Sequence, residues 1–316
     1  TTRNFPNREG SKPRDGQLAT VALMDARSIA ATAQRGGELT AATELEVTPV
    51  SPVEYHFDRD VYRKRVYEGF KQADPSVDLK YGPNITDWPQ MIPLTDGLIL
   101  KLAAVITDPV TTTDELIPSG DTSSYRSNPL KLAEFTLSRK DPDYVPKAKA
   151  FACLEQERRG WADGKPLASE LQELFRTAAA VTGEPAEKLI DVTGLGSAIF
   201  AVKPGDGSAR EQAASCQKVL GGWANIALEY ATKRYRSNVI NWGMIPFTID
   251  PADQEKITPD TVLYIPQIGA AVRSGADQVQ AYLLPKGTPV QLRLENLTAE
   301  ERKIILAGSL INHYAN

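Results

Sequence analysis

The chain has 316 residues, a formal net charge of −4, 41% hydrophobic and 24% charged residues. That length accommodates about two domains with a sizeable core, and the composition excludes wholesale disorder and a global basic footprint for nucleic acid. Two cysteines (Cys153, Cys216) and two histidines (His56, His313) exclude a disulfide framework and leave too few thiolates for an iron–sulfur site. No metal site is therefore expected within the chain. Apolar stretches such as Leu98-Ile99-Leu100 are too short to span a bilayer, and Thr1 to Pro6 lacks the apolar run of a signal peptide. A reduced, cytoplasmic protein is expected.

Residues 1–17 are polar and rich in Gly, Pro and Arg, which predicts a loop. Leu18, Ala22, Ala26, Ile29 and Ala33 recur at helical spacing, and Gly36-Gly37 stops that helix. Pro49, Pro52, Pro75, Pro83, Pro89 and Pro93 break residues 46–93 into a long connector. Leu98 to Ile106 predicts a strand leading into Thr111-Thr112-Thr113-Asp114, and residues 120–131 read as a loop. Leu167, Leu171, Leu174, Ala178 and Val181 form the stripe of an amphipathic helix ending near Gly183. Ala198 to Val202 predicts a buried strand that enters the turn Gly205-Asp206-Gly207 and a helix capped by Ser208. A strand from Trp223 to Leu228, a helix from Tyr230 to Asn241, and strands around Val262 to Ile265, Ala281 to Leu284 and Val290 to Leu294 follow. Thr298 and Glu301 have the spacing of a capping box for the last helix. The fold class is mixed α/β.

Three segments carry chemistry. A helix that starts at Ser208 presents unpaired backbone N–H groups, and Arg210 adds a full charge, so an anion is favoured there, including an alkoxide on Ser208. An ordinary helix cap explains the same residues. Arg3 and Arg8 stand on a Pro- and Asn-containing loop and could grip carboxylates, or serve solubility. Asp114 and Arg126, on Thr112-Thr113-Asp114 and Tyr125-Arg126, are either a site pair or a structural ion pair. Neither histidine adjoins a nucleophile-like turn, and no GxxxxGK[ST] is present.

Gly207-Ser208-Ala209-Arg210-Glu211 resembles the Gly-Ser-Ser-Arg-Glu segment of the aconitase superfamily's swivelling C-terminal domain. Leu220-Gly221-Gly222, Tyr235-Arg236-Ser237-Asn238 and Gly243-Met244-Ile245-Pro246-Phe247 resemble its later stretches. Arg3-Asn4-Phe5 with Arg8 resembles the Asn-Arg-Asn-Phe-x-Gly-Arg loop, Thr112-Thr113-Asp114 the Thr-Thr-Asp-His turn, and Tyr125-Arg126 the Phe-Arg segment. The motifs keep the family's order and cover residues 3 to about 247.

The resemblance implies a swivelling β/β/α domain at 94–316, a linker at 46–93, and the tail of an α/β/α aconitase domain at 1–45. It implies a hydro-lyase that reversibly dehydrates a hydroxylated di- or tricarboxylate. Ser208 would be the base, and Arg210 would stabilise its alkoxide and bind substrate. Arg3, Arg8 and Arg126 would bind carboxylates, and Asp114 would organise hydrogen bonds near the leaving hydroxyl. A [4Fe-4S] cluster is implied for the complete enzyme, held by N-terminal domains of the same protein or by a separate chain. On this reading the chain is the C-terminal portion of a longer protein and turns over little by itself.

Departures from the family pattern are Ala209 for the second Ser, Gln212 for the following His, Glu115 for the His after Thr-Thr-Asp, Asn7 for Gly and Thr2 for Asn. They point to a divergent hydratase branch. An isopropylmalate- or homoaconitate-type isomerase is the alternative within the same chemistry. A non-catalytic interaction or RNA-binding module is the alternative outside it, and the acidic net charge opposes that reading.

Overall fold

The computed structural model describes residues 23–44, 54–63, 74, 76, 78, 80–294 and 296–315. They fall into two compact units, one within residues 13–81 and one containing everything described from Gly82 onward. In the first unit, helix α1 (Ala26–Gln34) starts where the Asp25 carboxylate accepts the N–H groups of Arg27 and Ser28 at 2.9 and 3.1 Å. Gly37, at φ +100°, returns its N–H to Thr32 and closes the helix. Of the helix expected from Leu18, the part before residue 23 lies outside the described residues. Helix α2 (Arg59–Arg63) and a 3₁₀ turn at Ala42–Glu44 are also described in this unit.

The larger unit is built on β1 (Gly97–Ile106), whose side chains alternate between two apolar environments. Leu98, Leu100 and Leu102 enter one buried cluster while Ile99 joins another. A strand covered on both faces belongs inside an α/β arrangement. The chain next forms the short β2 (Thr111–Thr112) and helices α3 (Thr113–Leu116), α4 (Pro129–Ala133), α5 (Tyr144–Gly160), α6 (Ser169–Thr182) and α7 (Ala186–Val192). It returns as β3 (Thr193–Ala201), parallel to β1, with a register shift between Leu102 and Ala104. Then β4 (Pro204–Asp206) and α8 (Arg210–Val219) lead to β5 (Gly222–Ala227), and α9 (Lys233–Asn241) leads to β6 (Ile245–Ile249). Each of these crossovers joins parallel strands.

Three antiparallel strands complete the sheet: β7 (Val262–Ile265), β8 (Gln278–Leu284) and β9 (Thr288–Arg293), with α10 (Ile268–Ser274) between the first two. β9 pairs with β6 and β7 pairs with β1, so seven strands close into a barrel in the order β1-β3-β5-β6-β9-β8-β7. Phe200, Ile226, Phe247, Leu263, Ala281, Val290 and Leu292 fill it with the leucines of β1. Helices α11 (Ala299–Ala307) and α12 (Leu310–Ala315) finish the chain, and α11 carries the expected capping box of Thr298 and Glu301.

Residues 84–93, the end of the expected connector, and Leu94 after it are bonded onto this unit. Thr86 N–H donates to the Ser127 carbonyl at 3.1 Å, Trp88 packs on Trp242 with ring centres 4.4 Å apart, and Leu94 N–H donates to Leu306 at 3.1 Å. The strand expected at Ala198 to Val202 begins five residues earlier, at Thr193. Gly194 and Gly196 hide that start in the sequence because neighbours occupy the space of a side chain there. A Cβ on Gly196 would stand 2.1 Å from the Trp223 ring.

The longest helix, α5, is absent from the sequence reading. Its inward positions include Glu155 and Arg158, which interrupt the apolar stripe. Arg158 donates to both oxygens of Glu155 at 2.7 and 2.8 Å and to the Ile190 carbonyl at 2.7 Å, while Leu195 N–H donates to Glu155 at 2.9 Å. The pair thereby ties α5 to the end of α7 and the start of β3.

Lys218, on the last turn of α8, has its Nζ 3.6 Å from the Trp223 ring centre and no hydrogen-bond partner among the described residues. Burial pushes its ammonium down to about 7 from an ordinary 10.5. Between those values the unfolded chain binds a proton that the folded chain does not, so this residue makes stability rise with pH across that window. Below about pH 7 its contribution is level. Lys218→Met is expected to stabilise the fold at pH 7 by a few kcal/mol, on the order of the lost desolvation cost. Urea midpoints at pH 7 and pH 9.5 check this. The variant should show a smaller rise than the wild type, and an equal rise contradicts the assignment.

Candidate functional site

At the carboxyl ends of the parallel strands, three crossovers meet. β2 and β4 pair in parallel, with Thr111 opposite Pro204 and Thr112 opposite Asp206. That pairing brings together two segments distant in sequence, Thr112-Thr113-Asp114 and Gly205 to Ser208. Gly207, at φ +137°, lies so close that a Cβ there would stand 2.0 Å from the Thr113 hydroxyl. The third crossover joins them through Thr232. Its hydroxyl accepts the Tyr235 N–H at 3.1 Å, capping α9, and donates to the Gly205 carbonyl at 3.2 Å. Crevices beyond the carboxyl ends of parallel strands are where α/β sheets bind ligands.

Beneath this edge a closed polar ring fixes α8 against α9 and β5. Tyr235 Oη donates to Asn225 Oδ1 at 2.7 Å, Asn225 Nδ2 to Gln217 Oε1 at 2.8 Å, and Gln217 Nε2 to Tyr235 Oη at 3.0 Å. All three residues are buried, and burial raises the Tyr235 phenol well above its ordinary range, so it stays a neutral donor.

A cleft of about 400 Å³ at the starts of α8 and α9 is lined by Ser208, Arg210, Glu211, Lys233, Arg234, Ser237 and Asn238. Ser208 is exposed to it. The expected role of Ser208 as helix cap is not met: α8 begins at Arg210, and Ala209 occupies the cap position. Ser208 stands one residue earlier because β4 runs on to Asp206 and Gly207 turns the chain. Glu211 is exposed on the first turn of α8, and partial desolvation of its carboxyl raises it above its ordinary range, against hydrogen bonds with Ser215 and Trp242. Three cations therefore face one carboxylate around the serine. That field favours an oxyanion on Ser208 and an acid bound beside it.

The other expected site residues are placed differently. Asp114 is exposed on α3 and takes a charge-assisted bond from Arg139 at 3.2 Å; Arg139 also pairs with Asp121. Arg126 is exposed just after the turn Ser123–Tyr125, next to α4, which packs on α8. Neither Asp114 nor Arg126 is among the residues lining the cleft. Arg3 and Arg8 lie outside the described residues. Beside Asp114, Glu115 accepts Thr112 N–H at 2.7 Å and pairs with Lys140 at 3.3 Å, and Lys140 reaches Asp108 at 2.8 Å. The Lys140 ammonium holds the Asp108 carboxyl below its usual range.

Lys233 and Arg234 line the cleft without having been singled out in the sequence. The signal was available: two adjacent cations directly after a Thr cap, in a first turn with no acidic residue.

No protein-family model matches the sequence, and no curated protein does. Among solved structures, a 3-isopropylmalate dehydratase from Methanocaldococcus jannaschii is similar to the chain at 20% identity and a TM-score of 0.40. The match covers 69% of this chain and 93% of that one. At that distance it assigns neither a family nor an activity.

Among the described residues no group of three or more His, Cys, Asp or Glu side chains is arranged to hold a metal ion. Cys153 is exposed on α5, whereas Cys216 is buried on α8 with its thiol pushed up to about 12 by that burial. These thiols do not fit a [4Fe-4S] cluster, which takes three or four thiolates. No helix among the described residues is long and apolar enough to cross a membrane.

Proposed function

We propose that this chain supplies the base and the anion-binding wall of a hydro-lyase that dehydrates a hydroxylated di- or tricarboxylate. The observation that carries the reading is the cleft lined by Ser208, Arg210, Lys233 and Arg234, whose serine stands two residues after the pairing of Asp206 with Thr112. Ser208, as an alkoxide, takes the proton from the carbon next to a substrate carboxylate. The C–H electron pair becomes the new C=C bond as the β-hydroxyl leaves with its bonding pair and takes a proton to become water. Ser208 then gives its proton up to solvent and returns to the alkoxide, so the net products are the unsaturated acid and water. Arg210 stabilises the alkoxide and the carboxylate whose charge grows as the proton departs. Asp114, which does not line the cleft, is assigned to hydrogen bonds near the leaving hydroxyl on the motif resemblance alone. Arg126, Arg3 and Arg8 are assigned to the remaining carboxylates on the motif resemblance alone.

A [4Fe-4S] cluster belongs, on this reading, to a partner chain or to N-terminal domains of the same protein. The test is an assay of citrate-like hydroxy acids with the 316-residue chain alone and with its cluster-bearing partner. Turnover is expected only in the mixture. Robust turnover by the chain alone sinks the divided-site reading.

A further inference from the structure

At the end of the barrel opposite Ser208, where β1 and β3 begin, lies a cavity of about 520 Å³. β3 runs nine residues from Thr193 to Ala201, so about 26 Å of strand separates this cavity from the carboxyl ends that carry Ser208. Val181, Leu189 and Val192 of α6 and α7 give it an apolar side. The reaction proposed for Ser208 makes no use of it.

Four hydroxyls also line the cavity, those of Thr182, Thr193, Tyr264 and Tyr282. Tyr264 and Tyr282 stand directly opposite each other on β7 and β8. Burial raises the Tyr264 phenol above its ordinary range, against the neighbouring hydroxyls of Thr193 and Thr182, so it remains a neutral donor. Thr193 is the decisive residue. It is fully buried, and its hydroxyl has no hydrogen bond of good geometry among the described residues. An orphaned buried hydroxyl is costly, and native folds keep few of them. Gly97 pairs directly with Thr193, and a Cβ there would stand 2.5 Å from that hydroxyl. A side chain at position 97 would cover the oxygen, and the glycine leaves it uncovered.

Charge narrows the class of ligand. Asp96 is paired with Arg273 at 2.9 Å, and Glu184 with Lys188 at 2.6 Å. Each charged side chain lining the cavity is therefore matched, and an ionic ligand finds no free counter-charge there. A bare sugar would leave the apolar side uncovered, and a plain aromatic ring would leave Thr193 unpaired. A flat ring that carries a hydroxylated group satisfies both sides.

We infer that this cavity binds an uncharged nucleoside, with its base against Val181, Leu189 and Val192 and its sugar hydroxyls bonded to Thr193 and the tyrosines. The site is independent of the role given to Ser208.

Isothermal titration of the 316-residue chain with adenosine, ribose and adenosine monophosphate tests this. Adenosine should bind at least about tenfold more tightly than ribose, because only adenosine covers the apolar side. The monophosphate should bind no more tightly than adenosine. Thr193→Val keeps the shape of the side chain and removes the orphaned hydroxyl. Its melting temperature should hold or rise, while its adenosine affinity falls by about three- to tenfold. Should that variant not fold, Tyr264→Phe carries the same test through the neighbouring phenol, with the same fall expected. A wild type that does not bind adenosine, or binds ribose equally well, overturns the inference. So does a monophosphate that binds far more tightly, which would make the site anionic in its preference. Unchanged adenosine affinity in Thr193→Val also overturns it and leaves that hydroxyl to an ordered water.

Discussion

Replacing Ser208 with alanine is expected to lower turnover of the assembled enzyme by about 10²- to 10⁴-fold, the range for removing a positioned proton-transfer group. Folding stability should move by less than about 0.5 kcal/mol, as for surface positions with no special structural role. The combination is diagnostic. A helix-capping serine would give the opposite pattern, with about 0.5–2 kcal/mol of stability lost and the rate nearly intact. The fold separates these outcomes because Ala209 holds the cap position of α8 and Ser208 is exposed before it. Paired measurements of kcat/KM and urea midpoint on the same preparation decide between them.

The second large effect is on the scaffold. Gly205→Ala is expected to destabilise the fold by about 3 kcal/mol or more, combining backbone strain with overpacking. Gly205 sits at φ +100°, and a Cβ there would come within 2.3 Å of the Tyr235 ring, which is fully buried. Tyr235 cannot yield without breaking its bonds to Asn225 and Gln217. Gly183 gives the contrast: it sits at φ +75° at the end of α6 with nothing within 4 Å of an added Cβ. Gly183→Ala should therefore cost only about 1–2 kcal/mol, the left-handed penalty alone. Thermal melts of the two variants check the difference. Equal losses would show that Tyr235 is not locked.

How much of this was legible depended on whether one local rule decided a segment. β1 is apolar except at Lys101, α6 has an uninterrupted stripe and a glycine stop, and α11 has both members of its capping box. All three were readable. α5 was not, because Glu155 and Arg158 take inward positions and bond each other there. β6 carries Pro246, which argues against a strand; it is tolerated because β9 pairs only with Thr248 and Ile249, leaving that side of Pro246 without a partner.

At the site, Ser208 and Arg210 were visible from the turn-then-helix pattern, one residue out in the position of the cap. The approach of Thr112 to Asp206 was not, since register between distant segments is set by the whole sheet. Lys233 and Arg234 were not singled out in the sequence. Only the arrangement of α9 against α8 shows that they share a cleft with the serine.

The claim that Ser208 removes a proton from carbon is tested most directly by isotope exchange. The assembled enzyme is incubated in D₂O with the unsaturated acid or its hydrated form, and deuterium at the carbon next to the carboxylate is followed by NMR. The wild type should place one deuterium there, and Ser208→Ala, with substrate still bound, should slow that exchange by at least about a hundredfold. Exchange in Ser208→Ala at the wild-type rate would contradict the account and move the base to another residue.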